Sequence, residues 1–110
     1  MKKALFILAT LVAASSAYAE EDIMAGFYGN TLVITDQSGV QKWRYKPDHT
    51  LSATMQDGKR ITGTWLVNEG RLCETPEGQG SVCYQMGAKK VGDKWTGRPG
   101  MTLEVKSGLD

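Results

Sequence analysis

Residues 51–67, LSATMQDGKRITGTWLV, decide the fold. Apolar and polar residues alternate on both sides of the Asp57-Gly58 pair. Because successive side chains of a β-strand point to opposite faces, this period of two predicts two strands that each bury one face. Asp57-Gly58 predicts a two-residue hairpin loop between them. The residues predicted to face inward are Leu51, Ala53, Met55, Ile61, Gly63, Trp65 and Val67.

The same alternation continues in both directions from this hairpin. Residues typical of turns interrupt it about every ten positions, which predicts about eight short strands. No apolar period of 3.6 residues appears after residue 30, so crossover helices are not expected and the sheet should be antiparallel. Residues 21–26 are predicted to form one short helical turn, with acids at its start and Gly26 at its end.

The predicted strands follow one another along the chain as a meander, which indicates an all-β protein. Such a meander either closes into a small barrel or folds into a two-layer sandwich. Closure removes the exposed strand edges that invite aggregation, so the barrel is favoured over the sandwich.

The first nineteen residues have the features of a signal peptide. Lys2 and Lys3 precede an apolar run at residues 4–14, and Ala17-Tyr18-Ala19 matches the small-x-small pattern of a cleavage site. The apolar run is shorter than the ~20 residues that cross a bilayer, so no membrane anchor is expected after cleavage. We therefore predict cleavage after Ala19, export to the periplasm, and a single β domain at residues 20–110.

The two cysteines, Cys73 and Cys83, flank a Pro- and Gly-rich segment at residues 74–80. That composition predicts a chain reversal, and in an oxidising compartment the pair is expected to form a disulfide between neighbouring strands. A catalytic thiol and a metal-binding pair are the alternatives. The wide spacing and the presence of one histidine in the chain fit neither of them well.

The charge balance argues against two classes of partner. The chain has 13 Lys and Arg residues against 12 Asp and Glu residues, with no basic block. Nucleic-acid binding is therefore not expected, and neither is a basic membrane-binding surface.

The residues that usually carry catalysis are sparse. His49 is placed in a turn, and a triad with Ser52 or Ser81 has no supporting motif. Neither a metal nor a cofactor is predicted, and the protein is not expected to be an enzyme. The acids are assigned to turns, where they would cap their own backbone, and these are Asp36, Asp48, Asp57, Glu69, Glu74, Glu77 and Asp93.

Five aromatic residues on different predicted strands are the main binding candidates. They either fill the interior as core or line a pocket or patch for an apolar ligand or a protein, since aromatic side chains often anchor binding. Pro76 and Glu77 are added as candidates because they lie in the loop that the disulfide would close. The five aromatic residues are Trp43, Tyr45, Trp65, Tyr84 and Trp95.

Several short motifs resemble those of a group of small exported bacterial proteins of unknown function. His49 stands where that group usually has glycine. The resemblance implies a compact β domain of the cell envelope and supplies no activity. The motifs are Gly29-Asn30-Thr31, Asp48-His49-Thr50, Gly63-Thr64-Trp65, Leu72-Cys73 and Cys83.

Two functions of different kinds follow as hypotheses. The first is a non-enzymatic interaction module that binds a protein of the cell envelope. The second is a carrier of a small apolar ligand inside the barrel, with a small envelope hydrolase as a more remote alternative. The sequence does not decide the oligomeric state.

Overall fold

The computed structural model describes residues 22–109, which form one antiparallel β-sheet preceded by a 3-10 turn at Ala25–Phe27. The predicted signal peptide and its cleavage site lie outside the described residues. The eight strands are β1 (Asn30–Asp36), β2 (Gly39–Tyr45), β3 (Thr50–Thr54), β4 (Arg60–Asn68), β5 (Arg71–Pro76), β6 (Val82–Gln85), β7 (Lys94–Arg98) and β8 (Met101–Ser107).

The strand order across the sheet is β6-β5-β4-β3-β2-β1-β8-β7. Strands β1 to β6 are a continuous meander, and the β7–β8 hairpin joins it through pairing of β8 with β1. The predicted all-β antiparallel class is therefore confirmed. All eight strands belong to one curled sheet, so the architecture is a half-barrel and not a two-layer sandwich.

Strands β6 and β7 are consecutive in the chain but lie at opposite ends of the sheet. Each pairs with one neighbour within the described residues, β6 with β5 and β7 with β8. A β6–β7 pair is the one pairing that would complete a closed meander. We call the unpaired junction between β6 and β7 the seam.

The core lies on the concave face of the sheet. Met24 and Phe27, in and beside the 3-10 turn, have no solvent exposure and pack against it. The Phe27 ring meets the Tyr45 ring edge-on at 5.6 Å. The buried residues contributed by the strands are Leu32, Trp43, Tyr45, Leu51, Ala53, Trp65, Leu72, Leu103 and Val105.

The hairpin at Asp57-Gly58 differs from the predicted two-residue loop. Met55 N–H donates to the Lys59 carbonyl at 2.8 Å, so three residues lie between the bonded positions. Gly58 alone among them has a positive φ, +87°, and the Asp57 carboxylate accepts a hydrogen bond from Lys59 N–H. A two-residue type I′ turn would need positive φ at both central positions, which glycine adopts far more easily than aspartate.

The helical turn is shorter and later than predicted. Asp22 accepts a hydrogen bond from Met24 N–H, as expected for an acid at the start of a turn. Gly26 lies inside the turn and does not end it. A Cβ on Gly26 would overlap the Lys89 carbonyl group, so glycine is needed here because the β6–β7 connection crosses the turn closely.

The predicted Cys73–Cys83 disulfide is present. The two residues are directly opposite each other in the β5–β6 register, so the bond joins β6 to the rest of the sheet. A disulfide is compatible with an oxidising, exported location.

Of residues 22–109, no helical segment has the length and apolar character needed to span a bilayer.

Candidate functional site

A cleft of about 500 Å³ opens on the concave face at the seam. Its walls come from both ends of the sheet and its floor comes from β1, β2 and β8. The apolar lining residues are Leu32, Ile34, Trp43, Met86, Trp95, Gly97, Met101 and Leu103. The polar ones are Gln41, Tyr45, Glu74, Tyr84, Gln85 and Arg98. We call this space the seam cleft.

Strand register explains why these side chains converge. Trp43 lies opposite Leu32 in the β1–β2 pair, and Trp95 lies opposite Leu103 in the β7–β8 pair. Cross-strand partners project from the same face of a sheet, so each pair contributes to one concave surface. The curl of the sheet then brings the Trp95 wall towards Tyr84 on β6.

Glu74 is the buried carboxyl group of the cleft, with a relative exposure of 6%. The buried Tyr45 hydroxyl donates a short hydrogen bond to Glu74 Oε2. Burial raises the pKa of Glu74 above its ordinary value, and the Tyr45 hydrogen bond opposes that shift. Burial and the neighbouring Glu74 charge raise the pKa of Tyr45 well above its usual value, so this hydroxyl keeps its proton and remains a donor.

Tyr84 and Arg98 lie where β6 and β7 face each other. Tyr84 is 46% exposed. Its pKa is raised by partial burial and by the Glu74 charge, while the Arg98 charge lowers it. The two residues therefore lie close enough across the seam to interact electrostatically, although their strands do not pair.

Four of the five predicted aromatic candidates line the seam cleft. Trp43 and Tyr45 on β2, Tyr84 on β6 and Trp95 on β7 are brought together from three different strands. The Trp43 and Tyr45 rings are nearly parallel at 6.5 Å, and Trp43 Nε1 donates to Gln41 Oε1 at 2.8 Å. The indole N–H of Trp43 thus has a partner while its ring remains a wall of the cleft.

Trp65 is the exception, because it belongs to the core and does not line the cleft. Its Nε1 lies 3.1 Å from the Lys46 carbonyl oxygen and 3.0 Å from that of Thr50. The exposed His49 ring stacks on Trp65 at 4.5 Å. His49 has φ +71°, a left-handed conformation that glycine adopts without strain.

Of these two candidates, Pro76 lies in strand β5 and Glu77 lies in the turn that follows it. Pro76 ends β5 and lies opposite Gly63 on β4. Glu77 N–H donates to the Thr62 carbonyl at 2.8 Å, and its carboxylate accepts from the Thr62 hydroxyl. Both residues border a separate hollow of about 640 Å³ that is more open to solvent than the seam cleft.

The assignment of Glu74 to a turn was wrong. Glu74 lies in β5, two residues after the buried Leu72, so both side chains point to the concave face. The alternation of side chains that places Leu72 inward also predicts an inward Glu74 in a strand that continues past residue 74. Pro76 and the glycines that follow it are instead typical of a turn, which favours an earlier end of the strand. Arg98 was not among the sequence candidates, because Gly97-Arg98-Pro99-Gly100 has the composition of a turn, yet it is the last residue of β7.

The described residues offer little for metal binding or nucleophilic catalysis. No group of three or more His, Cys, Asp or Glu side chains is positioned to hold a metal ion within residues 22–109. The Ser81 hydroxyl lies 2.9 Å from the Thr75 hydroxyl, so its hydrogen-bond partner is not His49. The seam cleft instead combines aromatic walls with one buried carboxyl group, an arrangement suited to binding.

Comparisons with protein-family models, with curated proteins and with solved structures find no match for this chain. The resemblance to small exported bacterial proteins remains a prediction.

Proposed function

We propose that this is an exported, non-enzymatic binding protein of the cell envelope that takes a small ligand with an apolar body into the seam cleft. The observation that carries the proposal is the convergence of four aromatic side chains on one open cavity. Binding sites for small molecules are usually concave and mainly apolar, with a few polar groups that fix orientation. The seam cleft has this composition, with Glu74 as its buried polar group.

The three tryptophans allow a direct test of the site. Trp43 and Trp95 line the seam cleft, whereas Trp65 lies outside it. The probe is 4-(4-bromophenyl)butan-1-ol, whose bromine quenches a nearby indole. Two variants are compared, Trp65→Phe, which keeps the cleft tryptophans, and the double variant Trp43→Phe/Trp95→Phe, which keeps Trp65 alone.

We expect saturable quenching in Trp65→Phe and little quenching in the double variant. Calorimetry with the same alcohol shows whether the double variant still binds, since phenylalanine keeps an aromatic wall. Equal quenching of both variants would place the ligand elsewhere, and no saturable binding to any of the proteins would refute the proposed function.

Export to the periplasm is supported by the N-terminal pattern and by the disulfide. Export is tested by measuring the intact mass of the protein recovered from its host. We expect a chain that begins at Glu20 and lacks the two hydrogens lost on disulfide formation. A chain that keeps Lys2 and Lys3, or that carries two free thiols, would contradict export.

A protein partner is the second candidate, and the open edge of β6 favours it. All four residues of β6 are exposed, and Val82 is 50% exposed at the edge of the sheet. An unpaired edge presents backbone N–H and C=O groups to which an extended segment of another protein can add as a strand.

The charged substitution Val82→Lys tests this second candidate. We expect it to abolish co-purification of an envelope protein, because a charged side chain on an edge strand disfavours the addition of another strand. The control is Val40→Lys on β2, at a side chain that is 43% exposed and away from the open edge. Partner capture that survives Val82→Lys would exclude the β6 edge as the contact.

A further inference from the structure

One oxygen of the Glu74 carboxylate has no hydrogen-bond partner among residues 22–109. Tyr45 donates to Oε2, and no described group donates to Oε1. Every side-chain N or O atom that is sealed from solvent in this part of the chain has a partner. Oε1 is therefore not sealed, and since Glu74 lines the seam cleft, this oxygen is open to a ligand in it.

Among residues 22–109, the Glu74 carboxylate forms no ion pair, although Arg98 lines the same cleft. Burial and the Tyr45 hydrogen bond are the influences on its pKa, and no Lys or Arg side chain in the described residues contributes to it. The Arg98 charge acts on Tyr84 at the seam. A buried carboxylate without a cation is costly, because it has lost water and gained no opposite charge.

The aromatic rings around this carboxylate also favour a cationic group on the ligand. Tyr45 contacts Glu74 directly, and Trp43 stacks beside Tyr45. Trp95 and Tyr84 complete the aromatic lining. The faces of such rings carry negative electrostatic potential and attract cations, most strongly when water is excluded.

We propose that the ligand carries a cationic nitrogen on an apolar body and that Glu74 Oε1 accepts a charge-assisted hydrogen bond from that nitrogen. The apolar body fills the space between Trp43 and Trp95. This inference rests on the proposed function, since it names the chemical class of the ligand for the same cleft. A ligand amine would give Glu74 the opposite charge that the protein itself does not supply.

The test uses three probes that differ only in their polar end: 4-phenylbutylamine, 4-phenylbutan-1-ol and 4-phenylbutanoate. Calorimetry at pH 7 on the mature, disulfide-bonded protein measures each affinity. We expect the amine to bind about tenfold or more tightly than the alcohol, since charge-assisted hydrogen bonds are roughly twice as strong as neutral ones.

The substitution Glu74→Gln should lower the amine affinity far more than the alcohol affinity and so remove the preference for the amine. Glutamine keeps the shape of the side chain and an oxygen that accepts from Tyr45. The matched control is Glu77→Gln, which removes an exposed carboxylate outside the seam cleft and should change neither affinity. Loss of amine affinity in both variants would indicate general electrostatic attraction and overturn the proposal.

A pH series on the unaltered protein gives an independent readout that does not depend on a variant folding. The amine should bind more weakly as the pH falls through the raised pKa of Glu74, with the alcohol affinity nearly constant. The other groups facing this carboxyl are Tyr45, Tyr84 and the cationic side chain of Arg98, and the raised pKa values of both tyrosines keep their hydroxyls neutral between neutral and mildly acidic pH.

The remaining outcomes separate the two proposals. Equal affinities for amine and alcohol would refute the cationic ligand and leave the cleft as an apolar site. Tightest binding of the carboxylate would also refute it and assign recognition to Arg98. Absence of binding by all three probes would overturn the proposed function together with this inference.

Discussion

Glu74 shows how one residue links stability to the candidate site. It lies opposite Trp65 on one side and Val82 on the other, and its carboxyl group is buried beside Tyr45. Its raised pKa means that the folded protein holds this proton more tightly than the unfolded chain does. The free energy of unfolding therefore loses a contribution from Glu74 as the pH rises from the ordinary value of 4.5 through the raised pKa.

Glu74→Gln should remove that pH dependence. We expect the variant to gain stability relative to the unaltered protein as the pH is raised across this window, because glutamine carries no charge to desolvate. Urea unfolding at several pH values between 4 and 8 measures the difference. A difference that stays constant with pH would show that Glu74 has the same pKa in the folded and unfolded states.

Tyr45→Phe should destabilise the protein by about 1–3 kcal/mol at neutral pH, because it removes the donor to a buried carboxylate. Tyr84→Phe is the matched control, since its side chain is 46% exposed. We expect that change to cost less than about 0.5 kcal/mol. Chemical denaturation compares the two, and equal losses would mean that the Tyr45–Glu74 bond contributes nothing specific.

At the scale of elements, the hairpins depend on residues in the left-handed region. The β4–β5 turn has two residues, Glu69 with φ +53° and Gly70 with φ +76°. Asn68 and Arg71 pair on either side of it. This is the type I′ geometry, for which Asn-Gly is the favoured pair and glutamate at the first position is unfavourable.

Glu69→Asn should therefore stabilise the protein by about 0.5–1 kcal/mol, because asparagine tolerates positive φ better than glutamate. The melting temperature should rise by a few degrees, as about 4–8 °C is expected per kcal/mol for a domain of this size. Gly70→Ala, in the same turn, should lower it. A lower melting temperature for Glu69→Asn would show that Glu69 has a compensating interaction.

Gly63 has a different role, since it allows close packing of β4 against β5. A Cβ at this position would overlap the Thr75 carbonyl oxygen and lie 2.8 Å from Pro76 Cα. We expect Gly63→Ala to cost about 1–3 kcal/mol through forced backbone displacement. Gly80→Ala is the control, because nothing lies within 4 Å of its Cβ position, and thermal unfolding of both should separate them clearly.

For the whole molecule, the unpaired seam determines both the cleft and its weakest wall. Strand β6 has four residues, all exposed, and it is held by pairing with β5 and by the disulfide. Strand β7 has a register irregularity between Thr96 and Arg98. Short length and irregularity are features by which proteins protect open sheet edges against aggregation.

The double variant Cys73→Ser/Cys83→Ser should lose about 2–3 kcal/mol of stability, as expected for a disulfide that closes a short loop. Besides this loss in the global free energy of unfolding, we expect strand β6 to open locally. Amide hydrogen exchange is expected to become fast in β6 while β2 and β3, at the centre of the sheet, stay protected. Uniformly faster exchange in all strands would show that β6 does not open independently, and unchanged ligand affinity would show that β6 is not needed as a wall.

The sequence by itself determined the strands, the antiparallel class and the disulfide pair. These depend on period-two alternation, on turn residues and on two cysteines beside a chain reversal, all of which are local features of the chain. It also supplied four of the residues in the seam cleft as aromatic candidates, namely Trp43, Tyr45, Tyr84 and Trp95.

Only the tertiary structure decided which aromatic residues share a cavity and which acid lies among them. Trp65 and Trp43 have the same alternating pattern in the sequence and both pack in the core, but the curl of the sheet brings only Trp43 of the two to the lining of the cleft. Glu74 acquires its environment from Tyr45, a residue 29 positions away in the chain. Such contacts depend on how far a sheet curls before its ends meet, which is set by the summed twist and packing of all eight strands and by no single segment.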